Sequence, residues 1–203
     1  MDSLLVSTQK LCSQLSIVSS DALIQKLKDI FVTNKYIWSD KNYIGLRMSD
    51  IFTDEFSDYG IITINEAPFA FSLSTKPGSY FLEHPENKNG CACLKEGQHK
   101  DMWQFHNVVG GWTGDPYCSQ INPITVLRQI GKHVGDTIDR TKEETGLFGI
   151  NMHTWKNFKN SHVLNLSAGC QTASEDVFME EIYELIKQLP EKITYTLLNK
   201  SMF

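Results

Sequence analysis

Apolar residues near the N-terminus recur at helical spacing. They fall at Leu4, Leu5, Leu11 and Leu15 in "LLVSTQKLCSQL", then at Leu23, Ile24, Leu27, Ile30 and Phe31 in "SDALIQKLKDIFV", which predicts a helical hairpin over residues 3–34. Ser20 or Asp21 is the expected cap of the second helix, with Asn34 near its end. From Tyr36 to Val134 the period changes to short apolar runs. "GIITINE", "FAFSLS", "SYFLE", "CACLKEG", "MWQFHNV" and "ITVLRQI" read as strands, separated by turns at "KPGS", "NKNG", "VGGWTGDP" and "INP". A further strand is expected at "LFGINMH" and an amphipathic helix at "SEDVFMEEIYELIKQL", closed by Pro190. The expected fold class is mainly β (α+β), a largely antiparallel sheet or barrel-like sandwich. Residues 1–35 form its helical segment, 36–190 the main domain and 191–203 a tail, read as either a partner contact or a last packed segment.

Composition narrows the picture. The 203 residues, 41% hydrophobic and 21% charged, suit one folded domain. A net charge of -5 leaves no clustered basic footprint, so nucleic acid is not an expected partner. No stretch approaches a membrane span, and the N-terminus does not read as a secretory signal, so synthesis in the cytoplasm is expected. The five cysteines, Cys12, Cys91, Cys93, Cys118 and Cys170, are odd in number and read as reduced thiols rather than a disulfide framework. Cys91 and Cys93 lack the gap of common zinc knuckles, and neither metal nor cofactor is expected.

The chemistry concentrates in "GINMHTWKNFKNSHVLNLSAGCQ". A thiol attacks a carbonyl as thiolate, so it needs an imidazole to take its proton and backbone N–H groups aimed at the nascent oxyanion. His153 ends an apolar run, Ala168 and Gly169 are small enough for close backbone approach, and Cys170 follows directly.

These residues carry a resemblance. A histidine after an apolar strand, a variable stretch and then Ser-x-Gly-Cys is similar to the L,D-transpeptidase (YkuD-like) catalytic domain. "TGLFGINMHTW" with "LSAGCQ" resembles the Ser-Ala-Gly-Cys-Gln branch of that superfamily, found among phage and bacterial proteins. "YIGLR", "DEFSDYGIITI", "STKPGSYFLEHPENKNGCACLKEGQHKDMW" and "YCSQINPITVLRQ" extend it over about residues 36–188.

The resemblance implies a catalytic domain in which Cys170 is the nucleophile and His153 the general base. It also implies an oxyanion hole from the amides of Gly169 and Cys170, and a bracing Ser167. The substrate it implies is a peptidoglycan stem peptide, attacked to form a thioester that an amine or water resolves. Ala168 stands where the family motif has a second histidine, and Gln171 and Thr172 where it has an aliphatic residue and an arginine, so recognition of the stem is expected to differ.

Gln171, His106, Gln120 and Arg128 are expected to hold substrate. Trp103, Trp112 and Trp155 form either a stacking wall or core. His106 is alternatively a strand histidine satisfied by backbone, Arg128 a solvated strand end, and His162 a surface loop residue. A phage or prophage setting is expected, with delivery to the cell wall by a lysis system or virion. The alternative is a virion structural or wall-binding protein that keeps the fold, with virion or self-assembly partners.

Overall fold

The computed structural model describes residues 2–107 and 116–203, with side chains from Ser7 onward. The helical hairpin forms as expected, with α1 at Asp2–Gln14 and α2 at Ser20–Thr33. The cap of α2 is Ser19, one residue before the predicted position, and its Oγ accepts from Ala22 N at 3.2 Å.

The hairpin is part of the main body. Leu11, Leu23, Leu27, Ile30 and Phe31 are buried in one cluster with Ile44, Leu46, Tyr59, Ile61, Ala70 and Leu198 of the sheet. Burying that apolar face against strands stabilises helices of this length, which are marginal alone.

The protein is mainly β with flanking helices. Strands β1 (Lys41–Arg47), β2 (Asp58–Ile64), β3 (Ala67–Leu73), β5 (Gly97–His106), β6 (Tyr117–Gln120), β9 (Met152–His153), β10 (Gln171–Thr172) and β11 (Lys192–Asn199) make one sheet in the order β10-β9-β6-β5-β11-β1-β2-β3. Its two edges meet at a Ser74–Thr172 bridge, where Ser74 N donates to Thr172 O and Thr172 N to Ser74 O. The sheet is therefore an almost closed barrel. Two of its pairs are parallel, β1 with β11 and β9 with β10; the others are antiparallel.

A second sheet, β4 (Cys91–Leu94), β7 (Ile124–Gln129) and β8 (Glu143–Gly146), packs outside. Its Ala92, Leu94, Ile124 and Val126 join the main core, while Cys93 and Leu127 face Phe52, Leu82 and Ile138. Arg47, fully buried at the end of β1, ties the two sheets together through Leu94 O, Glu96 and Thr75. Helix α4 (Glu175–Val177), a π turn (Phe178–Ile182) and α5 (Tyr183–Ile186) follow one another. They bury Phe178, Ile182, Leu185 and Ile186 in the same core as Trp103, Met152 and Tyr195.

Three sequence expectations are corrected. "SYFLE" is helix α3 (Ser79–Glu83), because Asp54 accepts from both Ser79 N and Ser79 Oγ and so caps its first turn. "LFGINMH" is strand only at its last two residues, since the amides of Phe148 and Ile150 are drawn to Gln120 and Gly149 takes a left-handed φ of 70°. Residues 191–203 are not a separate tail but, of the two readings, the last packed segment: they contain β11, which lies between β5 and β1. Among the described residues no helix is long and apolar enough to cross a membrane.

Candidate active site

Strand alternation places the two central side chains. Gln171 pairs with Met152 and Thr172 with His153, in parallel register. Met152 lies in the main core, and Gln171 Oε1 accepts from the core Tyr195 hydroxyl at 2.8 Å, so both point into the barrel. Cys170, Thr172 and His153 therefore share the outer face of neighbouring strands, His153 beside Thr172 and Cys170 two positions back.

Cys170 follows a turn fixed by Ser167. The buried Ser167 hydroxyl donates to Cys170 O at 2.9 Å and accepts from Gly169 N at 3.0 Å. Gly169 has φ of 141°, and a Cβ placed there would lie 1.9 Å from Ala92 O. Only glycine lets the turn lie against β4 in this conformation. The Gly169 N–H is directed back at Ser167 Oγ rather than toward an oxyanion.

The sulfur of Cys170 donates to Gly149 O at 3.3 Å and accepts from Asn151 N at 3.4 Å. Burial pushes its thiol up to about 11, against the lowering effect of the backbone N–H groups of Asn151 and of Cys170 itself; Glu86 raises it slightly further. His153 is fully buried, and burial pushes its imidazole down to about 4. Its Nδ1 lies 3.3 Å from Thr154 O, which holds the ring proton on Nδ1 and makes Nε2 the basic nitrogen. No hydrogen bond joins Cys170 to His153 among the described residues. The pair rests as neutral thiol and neutral imidazole.

A groove of about 380 Å³ opens at Cys170, with Ala168, Gly169, Gly149, Ile150, Cys91, Arg128 and Glu86 in its walls. Arg128 reaches it from β7, held by Glu144 at 2.6 Å and Gly90 O at 3.3 Å, with its guanidinium 4.9 Å from the Phe148 ring centre. It is buried rather than a solvated strand end.

The other expected substrate residues lie elsewhere. Gln120 gives its carbonyl to Phe148 N and Ile150 N and its amide hydrogens to Asn122 O and Gly146 O. All four bonding positions are thereby committed to shaping the groove wall. Gln171 faces the barrel interior. His106 stacks on Tyr117 and bonds Ser119 Oγ at 2.7 Å, outside the groove lining.

Trp155 is half-buried beside Phe56, Phe158, Val163 and Leu166, its ring 6.5 Å from that of His153. Trp103 is core, with Nε1 donating to Ile150 O. His162 is exposed, and Trp112 lies outside the described residues.

Three contributors went unread in the sequence: Asn151, whose amide reaches the sulfur, Glu86 and Cys91. The turn "ENKNG" and the strand "CACL" carry no sign that they fold against residue 169, nearly eighty positions on. No protein-family model matches the chain, and no curated protein matches it.

Proposed function

We propose that this protein is a cysteine-dependent enzyme with an L,D-transpeptidase-like domain. It acts on peptidoglycan stem-peptide bonds, with phage or prophage delivery to the wall as its setting. The supporting observation is that Cys170 lines a groove and shares an outer sheet face with His153, while the Asn151 N–H donates to its sulfur.

In this reading His153 Nε2 takes the Cys170 proton as sulfur attacks the carbonyl. The C–N bond then breaks, the departing amine receives that proton, and water or a second amine releases the acyl group from the thioester. The N–H groups of Asn151 and Cys170 face the developing oxyanion in place of the committed Gly169 N–H. Arg128 is the substrate-binding cation. Incubation with stem tetrapeptides should give an acyl adduct on Cys170, seen by mass spectrometry, and turnover should fall by at least about a thousandfold in Cys170→Ala. Turnover that survives Cys170→Ala would defeat the reading.

A second reading has its own support. A thiol pushed to about 11 and an imidazole pushed to about 4 are those of a buried, unactivated pair. A virion structural or wall-binding protein that retains the fold would show this, would bind sacculi or assemble equally well as Cys170→Ala, and would form no adduct.

A further inference from the structure

Two opposite charges line the groove at Cys170, and their surroundings differ. Arg128 is 7% exposed, its Nε and Nη1 engaged and its plane over Phe148, so the guanidinium is held in one orientation. Its Nη2 makes no hydrogen bond among the described residues. Glu86, from the turn before β4, is exposed and enters no ion pair or hydrogen bond among the described residues. Both charges are felt in the groove: Cys91, in the same wall, is pushed to about 12 by burial, with Arg128 lowering it and Glu86 raising it.

We propose that Arg128 and Glu86 form a dipolar cradle beside Cys170. It takes a short peptide bearing a free carboxylate and a free ammonium group, the carboxylate on Arg128 Nη2 and the ammonium on Glu86. The inference rests on the proposed action at stem peptides and adds which ends of them are recognised. A guanidinium held in place presents a planar donor edge at little further entropic cost, so a carboxylate gains more there than on a mobile lysine. Glu144 holds Nε and Gly90 O holds Nη1, which leaves Nη2 for the ligand. A ligand amidated at its C-terminus brings a neutral group against the buried Arg128 guanidinium, and one acetylated on its amine loses the attraction of the exposed Glu86, which is how the cradle discriminates.

The test is binding to Cys170→Ala, where no chemistry can follow. A stem tetrapeptide with a diamino acid at its third position is titrated calorimetrically, beside one copy acetylated on the side-chain amine and one amidated at its C-terminus. Each cap should weaken binding at least about tenfold. Glu86→Gln should erase the penalty for acetylation alone, and Arg128→Gln that for amidation alone. If Arg128→Gln does not fold, Arg128→Lys, which keeps the charge without the fork, should still reduce discrimination against the amidated copy.

Equal binding of all three peptides, or none by any, overturns the cradle. The two readings separate on the wild-type protein. Cap-insensitive formation of a Cys170 adduct leaves the thioester and removes the cradle. Cap-sensitive binding with no adduct removes the thioester and keeps the cradle.

Discussion

His153 carries a pH signature that follows from its burial. Its pKa falls from about 6.5 in the unfolded chain to about 4 in the fold, so between those values the unfolded state binds more protons. Its contribution to stability is complete above about 6.5, declines as the pH falls, and is lost below about 4, a swing on the order of 3 kcal/mol. Urea midpoints measured from pH 7 to pH 4 should fall steeply in the wild type and less so in His153→Asn. An unchanged slope in the variant would mean other groups carry the acid limb. Gly169 is the other residue-scale determinant. Its φ of 141° and the 1.9 Å approach to Ala92 O make Gly169→Ala cost about 3 kcal/mol or more, while Ala168→Ser, half-buried at the groove, should leave the urea midpoint nearly unchanged. Glycine in Ser-x-Gly-Cys is visible in the sequence, but its physical reason is not, because the atom it avoids belongs to a strand far away along the chain.

At the scale of elements, the barrel core depends on a polar contact among aromatic rings. Tyr195 of β11 packs on Tyr43 and Trp103 and gives its hydroxyl hydrogen to Gln171 Oε1 beside Cys170. Tyr195→Phe leaves that buried carbonyl without a donor and should cost about 1–3 kcal/mol in chemical denaturation. Adding Gln171→Leu should recover much of the loss, and a strictly additive double mutant would show that the contact contributes little. Periodicity made α1, α2 and most strands legible, because an amphipathic stripe or an alternating run states its own geometry. It could not show that β11 sits mid-sheet, since "KITYTLL" alternates like an edge strand and pairs with β5 and β1, both distant in sequence. Nor could it separate helix from strand in "SYFLE", where a carboxylate from residue 54 decides the outcome. Cys170 and His153 were legible as candidate residue types. Their shared face was not, because it depends on the Thr172–His153 register, and Gln171 points inward by the same register.

For the whole molecule, the five reduced cysteines report how the fold opens. Cys118 lies inside the barrel and Cys93 under Phe52, Leu82 and Ile138 on the face of the small sheet turned away from the main core, both with no exposed surface, so a reagent reaches them only through global unfolding. Cys170 and Cys91 line the groove, so local opening rather than global unfolding is expected to admit a reagent to their sulfurs. Cys12 sits under the hairpin with its thiol directed at Ser19 O. Iodoacetamide labelling of native protein, followed by peptide mass mapping, should modify Cys170 and Cys91 first. Cys12 should follow as the hairpin frays, and Cys93 and Cys118 should react only at the rate of global unfolding. Labelling of Cys170 should accelerate as pH rises toward about 11, since thiolate is the reactive form. A bound stem tetrapeptide should protect Cys170 and Cys91 together and leave Cys12 unaffected, because the groove and the hairpin lie on different parts of the surface. Protection of all five in parallel would instead mean that the ligand stabilises the fold globally by linkage, without occupying the groove.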